Sequence, residues 1–346
     1  MKLRTLFPLL FPLLCLCALI AATSSSVVAS EQPTITLALD NDGTFGVDQD
    51  YSNGIFISYT SSAISTPSML TYLSLSIWEK PSLDKFEFTL GHKMWTPSDI
   101  ESTEPVANDR PYAGYFYGEF NFISLNPQQV QRFNLTLGAT GESSFADQAQ
   151  KIVHKMTGSD EPKGWEYQIE DDVVGSIGYL THVNFSRNAL FDNDDSAHTS
   201  FNNTEFEISN ITEINVGGFR SDVATGMMFR WGTDLAANMG AAGISTEHPF
   251  RPGMIGASSS AWFVFTGVEG RYRFNDITIE GKRPNIPDPE NYPSTLENWQ
   301  SSAVLGATWY NRHVGLSLTF TAKTPDYEQA QTALYGTSAL ALFAFL

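Results

Sequence analysis

Apolar and polar residues alternate along much of this chain. Phe86, Phe88 and Leu90 interleave with Glu87, Thr89 and Gly91; Phe133, Leu135 and Leu137 with Asn134, Thr136 and Gly138; Leu316, Leu318 and Phe320 with Ser317, Thr319 and Thr321. A period of two sends these residues to opposite faces of β-strands, one apolar and one small or polar. In a soluble sandwich the apolar face meets a core; in a membrane barrel it meets lipid while the polar face lines the lumen. Alternation leaves both open. An aromatic content of 13%, tyrosines gathered at a strand end (Tyr112, Tyr115, Tyr117) and a last alternating run at 339–345 favour the barrel. At roughly ten residues per strand, the expected fold is all-β, a closed antiparallel transmembrane β-barrel of about twelve strands.

One stretch departs from this rhythm. Over 144–156, Phe145, Ala149, Ile152, Val153 and Met156 fall at helical spacing, with Asp147, Gln150, Lys151 and His154 on the other side. A short amphipathic helix is expected there, in a loop. Turn-rich segments include Phe191-Asp192-Asn193-Asp194-Asp195-Ser196, Asn202-Asn203-Thr204, and the region 283–299 with Pro284, Pro287, Pro289 and Pro293. The basic start Met1-Lys2-Leu3-Arg4, the apolar run after it and the small-residue end Val28-Ala29-Ser30 read as a secretory signal peptide over 1–30. The rest, 31–346, reads as one outer-membrane barrel domain with no linker. Both cysteines, Cys15 and Cys17, lie in the leader, so disulfides and thiol ligands are not expected in the mature chain. Loss of Lys2 and Arg4 takes the formal charge from −18 to −20, which repels nucleic acid; an anionic partner would need a divalent cation or a local basic spot as mediator.

Candidate chemistry begins where the strand Ile35-Thr36-Leu37-Ala38-Leu39 gives way to Asp40-Asn41-Asp42-Gly43-Thr44, with Asp48 and Asp50 behind. Clustered oxygen ligands suit a hard cation, Ca²⁺ before Mg²⁺, although a solvated turn has the same composition. The spacing is not that of an EF-hand, since Phe45 stands sixth from Asp40 where Gly is needed. His154 offers a neutral imidazole able to activate water near pH 7, or an idle helical histidine. His92 and Lys93 on a strand carry the same ambiguity. There is no Gly-x-Ser-x-Gly elbow, no His-Glu-x-x-His helix and no phosphate-cradling glycine loop. A water activated by His beside a carboxylate-bound cation is the chemistry these residue types can still build.

At these residues the chain resembles the outer-membrane lipid A 3′-O-deacylases. The matching blocks are Asp40-Asn41-Asp42 with Asp48-Gln49-Asp50-Tyr51-Ser52-Asn53-Gly54, then Thr96-Pro97-Ser98-Asp99, Asn108-Asp109-Arg110-Pro111-Tyr112-Ala113-Gly114, Gln150 with His154, and Gly164-Trp165 with Gln168. The loop after Ser98 is acidic (Asp99, Glu101, Glu104), where some members carry a basic residue. The resemblance implies a barrel in the cell outer membrane, acting as a monomer on lipid A of lipopolysaccharide. It implies a Ca²⁺-dependent carboxylic ester hydrolase in which Asn41 and Asp42 are the strand-end and metal pair, Ser52 a hydroxyl position, and Gln150 and His154 the helix pair, His154 being the base. Asp109 and Arg110 are expected to form a buried ion pair that orders a loop. The alternatives are a non-enzymatic barrel, a pore or structural protein on the same fold, and a soluble sandwich.

Overall fold

The computed structural model describes residues 32–43, 49–189 and 204–346, apart from the side chain of Thr157. Twelve strands follow one another: β1 (Thr34–Asn41), β2 (Asp50–Thr60), β3 (Leu83–Thr96), β4 (Ala113–Leu125), β5 (Gln129–Thr140), β6 (Val173–Ala189), β7 (Glu205–Gly217), β8 (Arg220–Gly232), β9 (Ala261–Asp276), β10 (Trp299–Tyr310), β11 (Val314–Lys323) and β12 (Tyr335–Phe345). Each pairs antiparallel with its neighbours, and β1 meets β12 from Thr34↔Phe345 to Asn41↔Ser338, so the sheet closes into a barrel. Closure removes the unpaired edges that a strand cannot leave bare in hydrocarbon.

The alternation seen in the sequence resolves as a lipid-type outer wall. Phe88, Leu135, Leu137 and Leu305 point outward and are more than half exposed, while their neighbours Glu87, Glu119, Asn134 and Arg132 point inward and are buried. Tyr115 and Tyr117 correct one expectation: they face the lumen, stacked on each other at 4.9 Å, and are no part of an interfacial belt. Outward aromatics such as Phe88, Phe120, Trp299 and Trp309 supply that belt.

Both chain ends of the barrel, Thr34 and Phe345, lie at one rim, here the terminal rim. The tight turns 126–128 and 311–313 and the longer 61–82 and 233–260 are there too, and the far rim carries 97–112, 141–172 and 277–298. The far rim also carries both α-helices of the described residues, α1 (Ala146–Thr157) and α2 (Ile277–Glu280). The loop 233–260 leaves the terminal rim and folds back through the lumen. Its Glu247 pairs with Lys93 at 2.8 Å and Arg220 at 3.2 Å, and its Arg251 with Glu119 at 2.8 Å and Glu87 at 3.1 Å. Its His248 N–H donates to Asp40 at 2.7 Å and its ring stacks on Phe56. Inward charges on the strands are thereby matched by charges the loop brings, as burial of ions demands. The segment 1–30 and the turn residues 191–203 lie outside the described residues.

Candidate active site

The far end of β2 carries a bulge. Tyr51 pairs with Trp95 and Asn53 with Met94, so Ser52 is an extra residue, a device that re-aims side chains at the edge of a sheet. The Ser52 carbonyl accepts Asn41 Nδ2 at 3.1 Å and the Asp42 N–H at 3.4 Å, and the Ser52 and Thr96 hydroxyls meet at 2.5 Å. Asp42 is buried and its Oδ2 accepts the Gln49 N–H at 2.7 Å. Asn41, Asp42 and Ser52 are thus brought into one hydrogen-bonded corner.

Helix α1 stands on the same sector of the rim. The register places Asn41, Asn53, Met94 and Gly114 side by side across β1 to β4. Met94 shares the outward face of β3 with exposed Leu90, so this row belongs to the outer wall. Strand spacing of about 4.8 Å puts Asn41 roughly 10 Å from Met94. The helix seats on the other half of the row: Met94 clusters with Tyr112, Ala146 and Trp165, with Ala149 alongside. A Cβ on Gly114 would lie 2.1 Å from Ser144 Oγ and 2.4 Å from the Ala146 Cβ, so glycine is what lets the helix start approach β4.

Within α1, Gln150 is buried and its Oε1 accepts the Trp165 indole N–H at 2.7 Å; the Trp165 ring packs on Tyr112 with centroids 4.7 Å apart. At the helix end Gly158, at φ +72°, donates its N–H to the His154 carbonyl at 2.8 Å and reverses the chain. That reversal delivers the Asp160 carbonyl to His154 Nδ1. A carbonyl only accepts, so Nδ1 carries the proton and Nε2 holds the lone pair of the neutral ring. The expected helix is therefore present two residues later at its start than the periodicity suggests, because Ser144 belongs to a 3-10 turn over Gly141–Ser144.

Other candidates separate from this corner. Asp40 is still in β1, points into the lumen and accepts Tyr51 Oη at 2.9 Å. Asp50 joins Arg110 and Lys323 in a buried network, and Asp48 lies outside the described residues. The Arg110 guanidinium does not pair with Asp109, which takes from Arg110 only the backbone N–H at 2.7 Å; the guanidinium's partners are Asp50, Asp326 and the Thr278 hydroxyl. Asp109 instead orders the Thr96-Pro97-Ser98 loop, accepting the Ser98 N–H at 2.8 Å and Oγ at 2.6 Å, and accepts Tyr327 Oη at 2.7 Å. The loop-ordering role survives and the pairing changes. Burial alone would raise the Asp326 carboxyl, but Arg273, Lys323 and Arg110 around it hold it well below the usual carboxylate range. His92 Nε2 is 3.0 Å from the Ser144 carbonyl and Lys93 is paired with Glu247. Sequence reasoning gave no roles to Asn53, Thr96 and Trp165; each sits in a matched block, but only the register and the indole bond tie them to the corner.

The sequence model of the outer membrane protein LpxR family matches residues 9–343. The chain belongs to the LpxR family. Among solved structures, LpxR from Salmonella typhimurium is 16% identical, covering 90% of this chain and 100% of that one, with a TM-score of 0.73, so the fold is shared. The β domain of the Bordetella autotransporter Brka is 8% identical over 91% of this chain and 99% of that one, with a TM-score of 0.43. No curated protein matches the sequence. As an LpxR family member the chain is an outer-membrane protein, and its twelve-stranded closed barrel crosses that membrane. Bacterial single-chain barrels have an even number of strands and are inserted from the periplasm, so both ends of the sheet lie on that side. The terminal rim is accordingly periplasmic and the corner with α1 faces the outer leaflet.

Among the described residues no group of three or more His, Cys, Asp or Glu side chains could hold a metal ion. A cation at this corner would rest on the Asp42 carboxylate and neutral oxygens. Asn41 Oδ1, which already accepts the Gly43 N–H at 2.8 Å, and Asn53 Oδ1, sealed from solvent with no donor among the described residues, are of that kind. An oxygen-only set of this composition fits Ca²⁺.

Proposed function

We propose that this chain is a Ca²⁺-dependent lipid A deacylase that hydrolyses the 3′-linked acyloxyacyl ester of lipopolysaccharide. The observation that carries the reading is the row Asn41, Asn53, Met94, Gly114, which sets the strand-end pair and the Gln150/His154 helix on one sector of the outer wall. An ester embedded in the outer leaflet reaches that wall without leaving the membrane.

In this reading His154 is the general base. Its Nε2 takes a proton from water as the water attacks the ester carbonyl and returns it to the alcohol oxygen as the acyl C–O bond breaks, releasing the carboxylic acid; the Asp160 carbonyl fixes the tautomer and stabilises the imidazolium through Nδ1–H. Gln150, its Oε1 tied to Trp165, presents an amide donor for the charge that develops on the ester oxygen. Asp42 and Asn41 hold Ca²⁺, and Ser52 positions both through its carbonyl. When bound there, Ca²⁺ supplies electrophilic polarisation of the ester carbonyl. The filled lumen supports this reading over an open pore, since loop 233–260 occupies the path a solute would take.

Mass spectrometry of lipid A from cells expressing the chain tests it. The wild type removes an acyloxyacyl chain, chelation of Ca²⁺ stops the loss, and His154→Ala or Asp42→Ala abolishes it while the barrel still folds. An unchanged lipid A spectrum with folded wild-type protein and Ca²⁺ present would sink the proposal.

A further inference from the structure

The periplasmic segment 61–82 between β2 and β3 is long for a turn at that rim, and it lies against the outside of the barrel. Asp84, Ser124 and Gln131 form a cross-strand row on β3, β4 and β5. Asp84 shares the outward face of β3 with Phe86 and Phe88, and an uncovered carboxylate there would face hydrocarbon. The segment covers the row. Thr66, Ser82 and Ser124 hydroxyls donate to the Asp84 carboxylate, Gln131 Nε2 donates to the Leu73 carbonyl at 2.6 Å, and the Leu75 N–H donates to Ser124 Oγ at 2.9 Å. Phe122, outward on β4, is buried beneath it.

Having used its polar groups on the wall, the segment turns apolar side chains the other way. Met69 is 88%, Tyr72 83% and Trp78 69% exposed. Positions 61–78 contain no Asp, Glu, Lys, Arg or His, and charge returns only at Glu79 and Lys80. On the same side of the barrel the lipid-facing wall carries the exposed row Tyr59, Phe88, Phe120, which begins one residue before the end of β2 where the segment starts. A strap uncharged from 61 to 78, with Trp and Tyr at its outer face and fixed to the side of a barrel at one rim, has the make-up of an interfacial anchor.

We propose that segment 61–82 is a membrane foot, with Met69, Tyr72 and Trp78 seated among the phospholipids of the periplasmic leaflet. The segment thickens the barrel's apolar band at that rim and sets how deep the barrel sits. The test uses the chain purified from outer membranes with Cys15→Ser and Cys17→Ser, carrying single cysteines at Met69, Tyr72 or Trp78, spin-labelled and reconstituted into phospholipid vesicles. Phe120→Cys on the wall and Gln128→Cys in the turn 126–128 give the lipid and water references.

Labels at all three positions are expected to collide readily with oxygen and poorly with a water-soluble nickel chelate, as at 120. Nickel access matching position 128 overturns the proposal, and so does shielding from both reagents, which a protein partner or a second copy would give. Because the three side chains are exposed, the variants are expected to keep the heat-modifiable gel mobility of the folded barrel. A label-free measurement stands beside them: brominated phospholipids quench the wild type, and Trp78→Phe removes part of the quenched emission. Equal quenching in both proteins would also overturn the proposal.

Discussion

The bond from Trp165 to Gln150 gives a sharp test of how the candidate helix works. Trp165→Phe keeps an aromatic ring against Tyr112 but removes, with part of the ring system, the indole N–H that donates to Gln150 Oε1 at 2.7 Å. The bond is buried, so its loss costs about 1 to 3 kcal/mol, more than an exposed bond would. If that energy is spent holding Gln150 toward the reacting ester, each 1.4 kcal/mol is about tenfold in rate, and turnover falls by roughly fivefold to a hundredfold. The assay is deacylation of lipid A in mixed micelles with Ca²⁺, followed by mass spectrometry over a range of substrate concentrations. A positioning role lowers kcat with little change in KM, and Gln150→Leu shows the same pattern. A Trp165→Phe protein within twofold of wild type, with its helix intact by hydrogen exchange, would refute the reasoning. A rise in KM alone would refute it as well, since that places the bond in uniform substrate binding.

At the outer rim, Asp326 is gripped by Arg110, Arg273 and Lys323, and Asp326→Asn strips these buried cations of a shared carboxylate, a loss of about 3 to 5 kcal/mol read as a lower unfolding temperature in detergent. Because the folded-state carboxyl is depressed, its contribution is fully present above the unfolded value of 3.8 and disappears as pH falls through the lower folded value. The gap in unfolding temperature between the wild type and Asp326→Asn is therefore expected to persist from pH 7 to about 4 and to close only below that. In planar bilayers the wild type is expected to be silent, and Glu247→Gln with Arg251→Gln, which breaks the loop's ion pairs to Lys93, Arg220, Glu87 and Glu119, to produce openings. Steady wild-type conductance would contradict the filled lumen.

The barrel was legible because lipid demands an apolar wall and closure forces every strand to alternate, so Phe86, Leu135 and Leu318 announced their face. The helix was legible for the same reason at a different period. What alternation could not show is what fills the lumen. Tyr115 and Tyr117 look like belt residues in sequence and are interior, because an inward tyrosine and an outward one differ only in register. The acidic cluster after β1 misled in a related way: Asp40 and Asp42 are two apart, yet one faces the loop in the lumen and the other the rim corner. The acidic partners of Arg110 were out of reach because Asp50 is 60 and Asp326 216 residues away, and nothing local to Asp109-Arg110 hints at either.

The loop 233–260 also bears on how stiff the cylinder is. It springs from the strands β8 and β9, yet it binds Asp40 on β1, 208 residues away, and residues on β3 and β4. Strand pairing joins these parts only around the circumference, whereas the loop links them across the diameter. Flattening the barrel therefore has to stretch the bonds of Glu247, His248 and Arg251 as well as bend the sheet. The wall is a braced frame and not a bare hoop.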